Sequence, residues 1–116
     1  MKIVILIIAG ILMTIVSFGQ NTKSPSEPME YIKKETIGGR LDFNSKLEKE
    51  NKNLYLFDGI AYNKKDFAIF LWGQAVNRAG ISSSKEAAKL WENIYTRELT
   101  EPEENALIRG FDAKLE

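Results

Sequence analysis

The stretch LYLFDGIAYNKKDFAIFLW, residues 54–72, decides the fold of this chain. Its first half consists of two apolar runs separated by Asp58 and Gly59, a pair that readily adopts the positive φ angles of a type I′ turn. The pattern predicts a β-hairpin with a two-residue loop. The cross-strand pairs that such a loop sets are Phe57 with Ile60 and Tyr55 with Tyr62.

Side chains alternate between the two faces of a hairpin, so the two faces differ in composition. One face carries the aromatic residues, and the other carries Leu54, Leu56 and Ala61. We expect a helix to cover one face, because an isolated hairpin is only marginally stable in water. The uncovered face is a candidate contact surface, since exposed apolar patches often mark interaction sites.

The second half of the stretch predicts the central helix of the domain. Asn63 suits the N-cap, the helix continues to about Ala79, and Gly80 suits the left-handed residue that ends it. Residues 67–72 are apolar on every side of this helix, which indicates burial on several faces. Trp72 ends the apolar run, and we therefore expect its indole in the core.

Two more helices are predicted downstream. Ser83 caps the first, and Thr100 with Glu103 forms a capping box that opens the second. Gly110 lies inside the last helix and is expected to weaken it by about 1 kcal/mol relative to alanine. Each helix has an apolar stripe at helical spacing, formed by Ala87, Leu90, Trp91, Ile94 and Tyr95 in the first and by Leu107, Ile108, Phe111 and Leu115 in the second.

The chain upstream of the hairpin carries weaker signals. Residues 20–30 are polar, contain prolines and lack apolar periodicity, which predicts a flexible arm. Gly38 and Gly39 interrupt any helix that enters them. Residues 45–48 fit a capping box that opens a short, highly charged helix.

The N-terminal segment has the pattern of an export signal. Lys2 precedes an apolar stretch over residues 3–16, and Ser17 and Gly19 are the small residues that favour a cut after position 19. The segment resembles bacterial export signals whose mature chain begins with glutamine. The alternative is an uncleaved membrane anchor, because residues 3–18 approach the roughly 17 residues that a spanning helix needs.

Together these signals predict the organisation of the whole chain. Residues 1–19 form a cleavable signal peptide, residues 20–30 a disordered linker, and residues 31–116 one small domain. The predicted fold class is α+β and mainly α, with a short β-hairpin followed by three helices. The export signal places the mature protein in the periplasm or outside the cell.

Composition restricts the chemistry that this chain can perform. It has no histidine and no cysteine, which removes the commonest general base, the commonest metal ligands and any disulfide. Its 16 basic residues are balanced by 16 acidic residues, and no basic cluster indicates nucleic-acid binding. We expect no metal, no cofactor and no enzymatic activity. The acids that could serve in catalysis are better explained as turn, cap and surface residues: Asp58, Asp66, Glu86, Glu98, Glu103 and Glu104.

The sequence therefore favours a small exported, non-enzymatic module that binds another protein. One alternative is an accessory subunit tethered to the membrane by an uncleaved N-terminal helix, and another is a carboxylate-dependent hydrolase. Aromatic residues are the candidate interface, namely Trp91, Tyr55 and Tyr62. Trp91 shares its helix with many charged residues, so we expect its indole to be partly exposed.

Overall fold

A computed structural model describes residues 26–113 of the chain, and there the backbone forms five helices and one two-stranded antiparallel sheet. This architecture confirms the predicted class, a mainly helical α+β fold in which a β-hairpin precedes three helices. The predicted signal peptide over residues 1–19 lies outside the described residues. In chain order the elements are α1 (Ser26–Thr36), α2 (Phe43–Glu48), β1 (Leu54–Phe57), β2 (Ile60–Asn63), α3 (Lys64–Ala79), α4 (Ser84–Tyr95) and α5 (Glu101–Asp112).

The hairpin has the predicted register and turn. Asp58 and Gly59 both have positive φ angles, 52° and 78°, as a type I′ turn requires. This turn matches the right-handed twist of the strands, so the chain reverses within two residues. The cross-strand pairs are Leu54 with Asn63, Tyr55 with Tyr62, Leu56 with Ala61 and Phe57 with Ile60.

Helix α3 follows the hairpin directly and is the central element. The Asn63 side chain accepts a hydrogen bond of 2.7 Å from the Asp66 N–H, which confirms the predicted N-cap. Gly80 ends the helix with a φ of 118°, a conformation that favours glycine. Trp72 is 2% exposed, so its predicted place in the core is confirmed.

The last two helices begin where the capping signals place them. The Ser83 side chain accepts a hydrogen bond from the Glu86 N–H at the start of α4. Thr100 and Glu103 exchange the two hydrogen bonds of a capping box at the start of α5. Local side-chain chemistry therefore determined both helix starts.

Gly110 has a role that its helix alone does not reveal. Helices α3 and α5 pack so closely that a Cβ at Gly110 would overlap the backbone carbonyl of Phe70. Likewise, a Cβ at Gly73 on α3 would overlap the backbone carbonyl of Leu107 on α5. The sequence indicated only a local cost for Gly110, whereas the packing of the two helices requires a residue without a side chain there.

Residues 26–30 of the segment predicted as a linker form the first turns of helix α1, and residues 20–25 lie outside the described residues. The helix covers Ser26–Thr36, and Met29 packs against the core while Ile32 is fully buried. The Trp72 indole N–H also donates to the Thr36 hydroxyl at 3.0 Å. Contacts with elements distant in sequence stabilise α1. The polar composition of the segment gives no information about these contacts.

Helix α2 is short, as predicted, but it begins earlier. Its N-cap is Asp42, whose carboxylate accepts from the Ser45 N–H at 3.1 Å and from the Gly38 N–H at 2.7 Å. The predicted capping box at residues 45–48 was wrong, because an aspartate three residues upstream takes the cap position. Burial alone raises the pKa of Asp42, but these hydrogen bonds outweigh it and lower that pKa below its ordinary value.

The core has one larger part and two smaller parts. The larger part lies among α1, α3, α4 and α5. One smaller part joins α2 and β1 to α3, and the other joins β2 and α5 to α3. Within residues 26–113, no helix has both the length and the apolar character that a membrane crossing needs. The larger part is centred on Ile32, Trp72, Val76, Trp91 and Leu107.

Candidate interaction surface

Trp91 is a core residue and not a surface residue. Its side chain is 3% exposed, its ring centroid lies 4.5 Å from that of Tyr95, and the Arg97 guanidinium covers the ring at 4.7 Å. The expectation of partial exposure was wrong. Charged residues of α4 such as Lys85 and Lys89 are exposed, whereas Trp91 lies in the core that α1, α3, α4 and α5 form.

Tyr55 and Tyr62 are also buried, with exposed fractions of 6% and 5%. They lie opposite each other in the hairpin and meet the ring of Phe67 on α3, at centroid distances of 4.9 and 5.8 Å. The Tyr55 hydroxyl donates to the Glu50 carboxylate at 2.9 Å. The aromatic face is therefore the covered face of the hairpin, and these rings hold the hairpin on α3.

The opposite face of the hairpin is open to solvent. We call Leu54, Leu56 and Ala61 the outer hairpin face; Leu54 is 60% exposed, Leu56 is 71% exposed, and Ala61 on β2 is also exposed. Leu56 and Ala61 are direct cross-strand neighbours. The alternation of the strands predicted one uncovered face without deciding which it is. The face that stays uncovered brings two large aliphatic side chains together in water.

The outer edge of β1 also carries unpaired backbone groups. In a hairpin closed by two residues, the pair beside the loop exchanges hydrogen bonds, and bonded and non-bonded pairs then alternate. Phe57 and Tyr55 consequently direct their backbone groups toward β2, whereas Leu54 and Leu56 direct theirs outward. Within the described part of the chain these outward groups have no hydrogen-bond partner. We call them the β1 edge.

A shallow groove lies beside the turn, and the sequence did not indicate it. Its volume is about 330 Å³, and it separates the hairpin from α5. Apolar side chains form its walls, while Asp58, Arg109 and Asp112 supply charges. The residues that form the groove are Phe57, Asp58, Ile60, Tyr62, Phe70, Ile108, Arg109, Asp112 and Ala113. It arises from the packing of elements that are distant in sequence, so no local pattern could predict it.

Glu103 is the most strongly bound carboxylate of the described residues. It is 1% exposed, and both of its oxygens accept hydrogen bonds from the Arg97 guanidinium at 2.9 Å. The Thr100 N–H donates to Oε1 at 2.8 Å, and the Lys65 ammonium lies 3.0 Å from Oε2. The capping box predicted Glu103 as a cap, but nothing in the sequence linked it to Lys65 or predicted its burial.

These contacts determine the protonation of the neighbouring acids. Hydrogen bonds from Arg97 hold the pKa of Glu103 far below its ordinary value, despite the opposing effect of burial. Burial, and then the negative charge of Glu103, raises the pKa of Asp66. Because cations occupy both oxygens of Glu103, its carboxylate is not free to serve as a nucleophile or a general base. Its contacts join α5 to the loop before it and to the start of α3.

Two of the other candidate acids, Asp58 and Glu86, have structural roles. Asp58 occupies the first position of the tight turn, and Glu86 accepts a hydrogen bond from the Ser82 hydroxyl at 2.7 Å. Among residues 26–113, no group of three or more acidic side chains is placed to hold a metal ion. The structure therefore presents surfaces for contact, and the ion cluster of Glu103 with Arg97 and Lys65 stabilises the fold.

Comparison of the chain with protein-family models, with curated proteins and with solved structures finds no match in any of the three.

Proposed function

We propose that this chain is a small, non-enzymatic module that is exported and binds another protein through the outer hairpin face and the adjoining β1 edge. The observation that carries the proposal is the exposure of Leu54 and Leu56, at 60% and 71%, on a hairpin that is held firmly on α3. Large aliphatic side chains that adjoin one another in solvent are typical of contact surfaces.

The way the hairpin is fixed supports this role. Its covered face is attached to α3 by stacked rings, such as Tyr55 on Phe67, whose planes lie 8° apart. Ordering this surface on binding therefore costs little entropy, because its backbone is already fixed by the fold. A preformed apolar surface of this kind suits recognition of a protein better than chemistry on a small molecule.

The distribution of reactive groups favours binding over catalysis. The chain has no histidine and no cysteine, and the buried acid Glu103 is neutralised by Arg97 and Lys65. A carboxylate-dependent hydrolase needs two acids that face a shared substrate site. Of the candidate acids, Asp58 forms the turn, Glu86 accepts a hydrogen bond from the Ser82 hydroxyl, and Glu103 is bound in an ion cluster.

Export is the part of the proposal that depends on residues 1–19, which lie outside the described residues. Intact-mass analysis of the protein recovered from cells tests it. Loss of the mass of residues 1–19 supports export with cleavage, and retention of these residues in a membrane fraction supports the tethered accessory subunit.

The binding role is tested by site-specific photo-crosslinking in the producing cell. A photoreactive residue replaces Leu56, and the matched control places the same residue at Lys89, which is exposed on α4. We expect a discrete protein adduct from position 56 and none from position 89. Equal labelling at the two positions, or no adduct from position 56, would contradict a binding role for the outer hairpin face.

A further inference from the structure

Building on this proposed function, we propose that one partner of the hairpin is a second copy of the same chain. The β1 edges of the two copies pair antiparallel about a twofold axis. The product is a four-stranded sheet in the order β2, β1, β1 and β2. Both outer hairpin faces then lie on the same side of this sheet.

The hydrogen-bond pattern of β1 selects a strand as the occupant of this edge. Leu54 and Leu56 each present an outward N–H and an outward C=O, and an additional strand would form hydrogen bonds with these groups. The strand contains no proline and no charged residue that would prevent pairing. A partner that met only the aliphatic side chains would leave these four backbone groups to water.

The spacing of the outward residues makes the edge complementary to itself. With Leu54 opposite Leu56 of the second copy, the two residues exchange a pair of hydrogen bonds, and the twofold axis repeats this pair. Tyr55 then lies opposite Tyr55 of the second copy at a non-bonded position. A shift of the register by two residues sets Leu56 opposite Lys52 or Leu54 opposite Asp58, and one leucine pair is lost.

The same register also brings opposite charges together at both ends of the ladder. Lys52 precedes β1 and Asp58 follows it, and both residues are exposed. Antiparallel pairing brings the Lys52 end of one strand near the Asp58 turn of the other copy, and the twofold axis repeats this arrangement at the opposite end. Within its own chain the Lys52 ammonium lies 4.8 Å from the centre of the Tyr55 ring. The chain has a formal net charge of zero, so two copies do not repel each other through their overall charge.

The size of the contact sets the strength that we expect. The paired strands have four residues each, so the interface is small compared with those of permanent dimers. The association is therefore weak and depends on protein concentration. A method that traps transient complexes tests it more sensitively than one that requires a dimer to survive dilution.

The absence of native cysteine makes a disulfide trap specific. The Leu54→Cys and Leu56→Cys variants are produced from the full chain, one of them tagged, then mixed and oxidised. In the proposed register these two positions lie directly opposite each other, with Cα atoms about 5.5 Å apart, which a disulfide can span. Two Leu54→Cys chains, or two Leu56→Cys chains, place their cysteines two positions out of register and beyond that span. Lys89→Cys on α4 is the control for random collision.

We expect the mixed disulfide to exceed each same-variant disulfide and the Lys89→Cys control by about tenfold, because pairing raises the effective concentration of opposed thiols. Equal yields for the mixed and same-variant samples, or yields no higher than the control, would overturn the pairing. If photo-crosslinking at Leu56 still labels a different protein in that case, the proposed binding function stands and only the second copy as partner is refuted. If both experiments are negative, both proposals are refuted.

Discussion

Replacement of Gly110 by alanine tests whether helix propensity or the close packing of α3 on α5 determines the effect of this residue on stability. Alanine is the better helix former, and the helix alone predicts that Gly110→Ala stabilises the protein by about 1 kcal/mol. The structure predicts the opposite sign. The new methyl group would overlap the Phe70 carbonyl on the facing helix, and this obstacle is backbone that no change of rotamer can remove.

The magnitude follows from the competition between these two effects. Overpacking of a tight interior typically costs about 1–3 kcal/mol, and a rigid backbone obstacle belongs at the upper end of that range. After the gain in helix propensity is subtracted, we expect Gly110→Ala to lower the free energy of unfolding by about 2 kcal/mol. To accommodate the methyl group, α3 and α5 must separate, and the buried side chains of Leu107 and Phe111 lose contacts.

Urea denaturation monitored by circular dichroism measures this effect. Asn105→Ala is the matched control, because it introduces alanine at an exposed position of the same helix. We expect the control to keep or raise the midpoint of unfolding, since alanine has the higher helix propensity. A midpoint for Gly110→Ala at or above that of the unaltered protein would refute the close approach of the two helices.

The remaining predictions concern the buried ion cluster and the two indoles. We expect Glu103→Gln to lower the free energy of unfolding by about 2 kcal/mol, mainly through the loss of charge-assisted hydrogen bonds in a buried site, because the exposed Lys65 partner is screened by solvent. The pKa of Glu103 is lowered on folding, so its stabilising contribution is present above the ordinary value of 4.5 and is lost as the pH falls below it. In thermal melts from pH 7 to 3, the melting temperature of Glu103→Gln should therefore fall less with acid than that of the exposed control Glu104→Gln. Identical profiles for the two variants would contradict this. Trp72→Ala and Trp91→Ala should each cost about 3–5 kcal/mol in chemical denaturation, because both indoles are almost fully buried; a much smaller cost for Trp91→Ala would show that its helix face is open.

Much of the fold could be predicted because its signals are local. The turn at Asp58 and Gly59 and the caps at Asn63 and Thr100 act on backbone groups within three residues, and the structure has each of them where the sequence indicates it. The start of α2 was predicted wrongly because Asp42, three residues before Ser45, forms the cap.

The surface was predicted less well than the fold. Alternation along the strands correctly divided the hairpin into two faces, but it could not decide which face α3 covers. The aromatic rings were covered, because Phe67 and Phe70 on α3 offered matching ring surfaces. Tyr55 and Tyr62 therefore became core residues, and Leu56 remained in solvent.

The sequence by itself determined the hairpin register and the starts of α3, α4 and α5, since these depend on φ preferences and hydrogen bonds between near neighbours. Only the tertiary structure decided the burial of Trp91, the need for Gly110 and the binding of Glu103 by Lys65. Each of these depends on the distance between helices that are far apart in the chain. A periodic pattern states which side of a helix is apolar, but it does not state how closely another backbone approaches that side.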